Sequence, residues 1–362
     1  MHHAKLQDKL HSTARRRPVM PELAAKLIRW QKLHGRHDLP WQRQRDPYLI
    51  WVSEIMLQQT QVATVIPYYR RFVERFPDIA SLARAPLDDV LALWSGLGYY
   101  SRARNLHGAA QLIQARHAGR FPVGFEEVMA LPGVGRSTAS AICVFGFGQL
   151  RAILDGNVKR VLARLFAVHG YPGEAHTAAR LWELSERLLP DHDIEAYTQG
   201  LMDLGAGVCT RTQPNCPRCP LSSACAALRA GIVNQLPQAK PRKALPQKRT
   251  VMLVLQRAGS VLLEKRPPVG IWGGLWCFPE ADASEDAAAS CARRFGALVE
   301  PLGELPTIAH GFTHFRLEIR PLALKVIAHE SRASEPGYSW LPVQQALAAA
   351  IPAPVRRILA TL

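Results

Sequence analysis

Two carboxylates, four closely spaced cysteines and one glycine turn are the residues of this chain with the types and spacing to do chemistry. Glu54 lies inside the apolar helical stretch Ile50-Trp51-Val52-Ser53-Glu54-Ile55-Met56-Leu57, with Ile50 and Trp51 one turn before it and Leu57 and Gln58 one turn after. Such neighbours desolvate a carboxyl group and disfavour its anion. That is the condition under which a glutamate stays protonated near neutrality and serves as a general acid. A surface glutamate beside an apolar stripe has the same pattern, so both readings stand at this point. Asp155 precedes Val158, Val161, Leu162, Leu165 and Val168, an amphipathic run, and so occupies the position of a helix N-cap. A capping carboxylate on a rigid helix end is also well placed to face a substrate.

Cys209, Cys216, Cys219 and Cys225 are separated by six, two and five residues, while Cys143, Cys277 and Cys291 are scattered. Four thiols in so short a span, in a chain whose polar, basic N-terminal residues 1–17 lack the apolar core of a signal peptide, indicate a metal centre rather than disulfides. Zinc and an iron-sulfur cluster both suit four thiolates. The scattered three read as ordinary buried thiols. The turn Leu131-Pro132-Gly133-Val134-Gly135 stands between two helical patterns, and Arg136 follows it. Glycines at 133 and 135 let backbone N–H groups face outward beside a helix N-terminus, a cradle for a phosphate. An ordinary helix-helix turn is the alternative.

The elements that must position these groups are mostly helical in the first two thirds of the chain. Residues 21–34, 62–76 and 87–94 have helical apolar spacing, and a helix opened by Asp46 and Pro47 is expected to run through Thr60. Leu97-Gly98-Tyr99-Tyr100 interrupts the helices, and Arg102 and Arg104 follow it. Aromatics beside arginines can wedge into a base stack and hold phosphates, although tyrosines in such a place are often core. Residues 231–249 are basic and proline-rich without apolar period, a linker. Beyond them residues 250–256, 261–265 and 320–327 read as strands and 284–294 as a helix. No apolar run approaches the ~20 residues of a membrane span.

Charge divides the same way. The net charge is +16, and residues 250–362 hold 11 Lys and Arg against 10 Asp and Glu, whereas residues 1–249 hold 34 against 19. The basic surface therefore belongs to the first two thirds, and a polyanion such as DNA is its natural partner.

With these residues in place, the chain resembles the MutY family of adenine DNA glycosylases within the helix-hairpin-helix glycosylase superfamily. The resemblance runs through residues 51–65, 97–106, 131–139 and 154–164, the cysteine loop and the tail domain. It implies a mainly α N-terminal part of endonuclease III-like fold with an iron-sulfur loop, followed by an α+β Nudix-like domain. The implied domains are a basic tail (1–17), an iron-sulfur domain (18–40 with 150–230), a six-helix barrel domain with the hairpin (41–149), the linker (231–249) and a domain that recognises 8-oxoguanine (250–362).

By the same resemblance Glu54 is the acid that protonates the adenine ring and Asp155 the anion that stabilises the sugar as the bond breaks. Ser137 and Asn157 support them, and Ser137 stands where bifunctional relatives carry a lysine nucleophile, so the chain is expected to use water. Leu39, Trp41, Gln42, Val62 and Gln199 match the adenine pocket. Gln59, Thr60, Tyr99, Gly133, Gly135 and Arg136 match DNA-binding positions, with Gln59 and Tyr99 probing the opposite strand. Cys209, Cys216, Cys219 and Cys225 match the ligands of a 4Fe-4S cluster. Phe312-Thr313-His314 matches a Phe-Ser-His loop that reads the lesion, threonine keeping the hydroxyl and adding a methyl. Around residues 285–294 the carboxylates that a Nudix hydrolase needs for divalent cations are missing, so this domain is not expected to hydrolyse nucleotides.

The implied activity is removal of adenine mispaired with 8-oxoguanine or guanine in duplex DNA, by a monomer in the bacterial cytoplasm at the nucleoid, without membrane contact. An endonuclease III type lyase and a non-catalytic mismatch-binding protein are the competing readings. Ser137 and the extra domain weigh against the first, the retained Glu54 and Asp155 against the second.

Overall fold

In the computed structural model the described residues are 20–42, 44–240, 244–282, 285–329 and 337–362. The basic tail 1–17, part of the linker (241–243) and Ser284 lie outside them. The helices are α1 (Met20–His34), α2 (Pro47–Leu57), α3 (Val62–Arg75), α4 (Ile79–Arg84), α5 (Leu87–Trp94), α6 (Ser101–Arg116), α7 (Phe125–Met129), α8 (Arg136–Phe147), α9 (Gly156–Leu165), α10 (Ala175–Arg187), α11 (Ile194–Asp203), α12 (Ala226–Arg229), α13 (Ala287–Phe295), α14 (Val343–Ala348) and α15 (Ala353–Leu359). The strands are β1 (Gln247–Arg257), β2 (Ser260–Lys265), β3 (Trp276–Cys277), β4 (Glu280–Ala281), β5 (Ala297–Glu304), β6 (Ile308–Gly311), β7 (Arg316–His329) and β8 (Tyr338–Pro342). Over the described residues the chain divides into two compact units, Met1–Pro47 with Gly135–Lys240 and Tyr48–Val134 with Pro241–Leu362.

The first unit is helical. Its core joins Leu23, Leu27 and Ile28 of α1, Val158, Val161 and Leu162 of α9, Leu181 of α10 and Tyr197 and Leu201 of α11. Cys209, Cys219 and Cys225 pack against the edge of this core. The apolar stripe seen after Asp155 is therefore the face by which α9 anchors the loop of cysteines behind it and the carboxylate at its start.

In the second unit, α2 to α6 close around large aromatic rings. Phe72 lies 5.1 Å from Phe76 and 5.9 Å from Trp94, ring centre to ring centre, and Trp51 lies 5.5 Å from Phe121. The sheet of the same unit runs β3-β2-β1-β7-β5, with β4 on β1, β6 on β7 and β8 on β2. β1 and β7 pair in parallel from Gln247↔Arg316 to Gln256↔Lys325. This explains the unbroken burial of Met252-Leu253-Val254-Leu255, since a central parallel strand is covered on both faces. α13 packs Cys291 and Phe295 against Leu253, Leu255 and Leu324.

Helices α5 and α6 also dock this sheet domain. Asp88 accepts hydrogen bonds from Lys265 Nζ and from Trp276 Nε1, the latter at 3.3 Å. Ser95 Oγ donates to the Ile351 carbonyl at 2.6 Å, and Arg356 Nη2 donates to Ser95 Oγ at 3.1 Å.

One expected boundary moves. Helix α2 ends at Leu57 rather than Thr60, and Gln59 takes a left-handed backbone with φ 56°. The cause is Arg102, buried at the start of α6. Its Nη1 donates to the carbonyls of Ile55, Met56 and Gln58 at 3.1, 2.7 and 2.6 Å, and its Nη2 to those of Leu97 and Gly98 at 3.4 and 3.0 Å. The guanidinium takes the carbonyls that a continuing helix would use, with its charge at the negative end of α2. Burial lowers its pKa from the usual arginine range to about 10. Arg102 is thus a structural clamp, and the reading of it as a phosphate holder is corrected. Arg104 is likewise engaged with protein, donating to the Gly273 carbonyl.

Candidate functional site

Asp155 sits at the N-cap of α9, where its Oδ1 accepts from the Val158 N–H at 2.7 Å. Asn157 adds backbone and side-chain hydrogen bonds to the same carboxyl group, yet desolvation outweighs them and holds its pKa above the ordinary aspartate value. Asn157 is itself fixed: its Oδ1 accepts from Arg160 Nη2 at 2.8 Å. Arg160 also donates to the carbonyls of Gly205 and Cys209, at 2.7 and 2.8 Å. Gly205 allows the close approach, because a Cβ there would stand 2.5 Å from that of Asn157. Ser137 Oγ, in the first turn of α8, accepts from the Leu154 N–H at 3.0 Å and so ties down the residue preceding the aspartate. The unit thus presents a desolvated carboxylate on a helix end, oriented by donors that are themselves held.

Four of the five residues matched to an adenine pocket fall in the same unit. Leu39 and Trp41 are buried, Trp41 within a 3₁₀ turn, Pro40–Gln42. Gln42 Oε1 accepts from Leu39 N–H and its Nε2 donates to the Arg36 carbonyl, both at 3.1 Å. Arg36 in turn binds Asp203, with Nε at 2.7 Å and its backbone N–H at 2.9 Å, and Gln199 Nε2 donates to the same carboxylate at 2.8 Å. Gln42 and Gln199 are therefore joined through Arg36 and Asp203. The fifth residue, Val62, begins α3 in the second unit and is half-buried.

Arg164, on the inner side of α9, lies beneath the cysteine loop. It is buried and donates to the carbonyls of Leu236, Thr210 and Arg211 at 2.8, 2.7 and 3.1 Å, and to Cys209 Sγ at 3.3 Å. The four cysteines of the loop are free thiols, each half-buried. The Cys219 thiol is pushed up to about 11, chiefly by burial and further by negative charge on Cys209, Cys225 and Cys216, so the four stand within electrostatic reach of one another. Among the described residues no three His, Cys, Asp or Glu side chains come together as a site for a metal ion. What fits a metal group here is the donor set, four half-buried thiols within one short loop.

The second unit carries Glu54, on α2 between buried Ser53 and Ile55 and half-buried itself. It also carries the residues matched to strand probing. Gln59 and Tyr99 have left-handed backbones, φ 56° and 50°, and Tyr99 is 45% exposed whereas its neighbour Tyr100 is buried. Non-glycine residues hold that conformation only where their surroundings impose it, and the Arg102 clamp lies between the two. Thr60 is half-buried in the turn that follows Gln59. In the glycine turn, Gly133 has φ 79° and would meet the Asn105 side chain at 2.9 Å if it carried a Cβ. A Cβ on Gly135, the N-cap of α8, would meet no atom within 4 Å. Only the first glycine is demanded by the protein itself. Arg136 forms an ion pair with Glu186 and lies 4.0 Å over the Trp182 ring.

Phe312, Thr313, His314 and Phe315 form the connection between β6 and β7, closed by a 2.9 Å hydrogen bond from Phe312 N–H to the Phe315 carbonyl. The rings of Phe312 and Phe315 stack at 4.4 Å, leaving Thr313 and His314 exposed. Trp272, buried and with φ 54°, supports the loop from behind, 5.7 Å from Phe312 and 5.6 Å from His310.

Sequence reasoning passed over Arg160 and Arg164, and misread Arg102. A signal for two of them exists: Arg102 shares a helical stripe with Leu106, Ala109 and Ile113, and Arg164 lies one turn from Val161 and Val168, places where an arginine must find carbonyls or carboxylates.

Residues 52–187 match the family described as HhH-GPD superfamily base excision DNA repair protein, and residues 250–361 match the NUDIX domain. The chain is 36% identical to the adenine DNA glycosylase of Buchnera aphidicola subsp. Schizaphis graminum, over 92% of this chain and 96% of that one. It is 31% identical to the human adenine DNA glycosylase, over 92% of this chain and 72% of that one. Among solved structures it is similar to a thermostable thymine-DNA glycosylase, with 29% identity and a TM-score of 0.54 over 58% of this chain and 97% of the other.

Proposed function

The chain belongs to the adenine DNA glycosylase family, and from that premise we propose that it hydrolyses the N-glycosidic bond of adenine mispaired with 8-oxoguanine or guanine in duplex DNA. The observation that carries this reading is the Asp155 carboxyl group, desolvated yet held by the Val158 N–H and by Asn157. An anion so fixed stabilises positive charge developing on a sugar. The adenine is flipped out of the stack and received by Leu39, Trp41, Gln42 and Gln199 of the first unit, with Val62 the further residue that the family resemblance assigns to it. Glu54 donates a proton to the ring as the glycosidic bond breaks, its electron pair leaving with the base. Water then adds to the sugar carbon and gives up a proton to solvent, leaving free adenine and an abasic site. Ser137 has no amine to attack the sugar, so no Schiff base forms and the strand stays intact.

Gly133, Gly135 and Arg136 receive a DNA phosphate, the open space at Gly135 leaving room for it. Gln59, Thr60 and Tyr99 enter or line the duplex at the mispair. Thr313 and His314, presented by Phe312, read the 8-oxoguanine. The iron-sulfur domain comprises residues 18–40 with 150–230, the barrel domain 41–149 and the lesion-reading domain 250–362. Cys209, Cys216, Cys219 and Cys225 would hold a 4Fe-4S cluster, which when bound would order the loop around Arg211. The protein acts as a monomer on the chromosome in the cytoplasm; among the described residues no helix is long and apolar enough to cross a membrane.

Single-turnover release of adenine from a defined 8-oxoguanine:adenine duplex tests the reading. The wild type should release it, and Glu54→Gln should bind the same duplex while excising ~10²–10⁴-fold more slowly. Borohydride added during turnover should trap no covalent adduct. Near-normal excision by Glu54→Gln would remove the acid assignment, and efficient trapping would favour a lyase. Because burial raises the Asp155 pKa, its anion is lost on acidification before an ordinary aspartate would protonate. The acid limb of the excision profile should fall at correspondingly higher pH.

A further inference from the structure

The turn that carries Trp272 is tied by one side chain to the helix that follows Tyr99. Arg104, on the first turn of α6, places Nη1 2.6 Å from the carbonyl oxygen of Gly273. Both residues belong to the second unit. The turn is tight: Gly274 N–H donates to the carbonyls of Arg266 and Pro267 at 3.2 and 3.1 Å, and a Cβ at Gly273 would stand 2.5 Å from the Pro268 oxygen. Within it Trp272 holds a left-handed backbone, φ 54°, unusual for a bulky side chain and retained only where neighbours over-determine it. Arg104 grips the Gly273–Gly274 peptide, one beyond that which follows Trp272, and so restrains the turn from which the indole projects. That ring lies against Phe312 and His310, and Phe312 stacks on Phe315 at the base of the loop that exposes Thr313 and His314.

We infer that Arg104 is a positioning residue for lesion discrimination: through Gly273 and Trp272 it sets the Phe312–Phe315 loop relative to Tyr99, which precedes it by five residues in the chain. The inference rests on the reading of Thr313 and His314 as the lesion contact. The bond is charge-assisted and half-buried, and it replaces solvent on a carbonyl that α6 could not otherwise reach. Its loss should shift the loop while leaving Glu54 and Asp155 untouched.

The test uses the full-length protein and single-turnover excision from two duplexes, adenine opposite 8-oxoguanine and adenine opposite guanine. Arg104→Met, which keeps the length of the side chain without donors, should lower the ratio of the two rates about tenfold, equivalent to ~1.4 kcal/mol of barrier. The rate opposite guanine should stay within about twofold of wild type, the scatter of a barrier change of ~0.4 kcal/mol. Arg104→Lys, with an ammonium of similar reach, should restore most of the ratio. In a Thr313→Ala/His314→Ala background Arg104→Met should add nothing, since two residues acting through one loop are not additive. If the loop variant lowers the ratio and Arg104→Met does not, the positioning role is overturned while the lesion-reading loop stands. If the loop variant leaves the ratio unchanged, both fall. A parallel loss of both rates with a lowered melting temperature would make Arg104 merely structural and also overturn the inference.

Discussion

Helices α9 and α13 begin alike and are put to different ends. Each is opened by an aspartate whose carboxylate caps it, Asp155 on Val158 N–H and Asp286 on Ala288 N–H. Each carries two arginines. On α9, Arg160 and Arg164 are spent on backbone carbonyls, on Asn157 and on the cysteine loop. On α13, Arg293 pairs with Glu285, and Arg294 with Glu264 at 3.0 Å. The first helix directs its cations into structure and keeps a desolvated carboxyl group at its end. The second neutralises the carboxylates around it, and Arg266 does the same for Glu280 at 3.1 Å. A capping aspartate in the sequence is therefore silent about chemistry until the destination of nearby arginines is known.

The contrast can be pressed hardest by amidation. Asp155→Asn, which retains a capping side chain, should slow adenine excision ~10²–10³-fold by removing the anion, whereas Asp286→Asn should leave excision within about twofold. Equal losses would erase the distinction between the two helix starts. Next in size is the pair of arginines. Arg164→Met leaves three carbonyls, two of them in the cysteine loop, without their donor and should cost ~3 kcal/mol of stability by denaturant unfolding and, on the proposed cluster assignment, lower the iron content. Arg294→Met breaks a half-buried pair and should cost ~1 kcal/mol with iron content unchanged.

A smaller effect sharpens the electrostatic half of the comparison. The folded pKa of Asp155 is raised, so the folded protein holds the proton more tightly than the unfolded chain. The corresponding stability is fully present below the unfolded pKa and is lost as pH rises through the folded one. At neutral pH Asp155→Asn should then melt at or above the wild-type temperature, an advantage that disappears on titration to about pH 3, below the ordinary aspartate value. A variant less stable than wild type at pH 7 would mean that the capping bond outweighs desolvation. Smallest is Asp286→Ala, expected to lose about 1 kcal/mol, the worth of an exposed cap.

Much of the scaffold was legible from local pattern. The cap at Asp155, the start of α2 at Pro47, the stripe of α9 and the strands β1 and β2 follow from residue types within a few positions of one another, and α1, α3 and α5 begin and end close to their expected limits. The end of α2 was not legible, because it is imposed by Arg102 from 44 residues away. The same distance hides the roles of Arg160 and Arg164, whose acceptors in the cysteine loop lie 45 to 49 residues further along the chain. An arginine is long and always charged, so its sequence neighbours say little about which carbonyl it will reach. Glu54 stood out by its own apolar helix context, whereas the helix context of Asp155 showed only a cap, and its candidate role came from the family resemblance.

The Arg102 clamp has a mechanical consequence. Because one planar guanidinium binds carbonyls on both sides of it, the turns bearing Gln59 and Tyr99 behave as two prongs of a single stiff fork, with little freedom to open or close against each other. A fork of set spacing works as a gauge when pressed along a stacked duplex. On the proposed role of Gln59 and Tyr99 in the duplex, it would register steps that yield to both prongs at once, and a stack that resists either prong would resist the whole tool. Lysine at position 102 would present a single ammonium in place of the planar pair of donors, leaving the prongs hinged and the gauge without a scale.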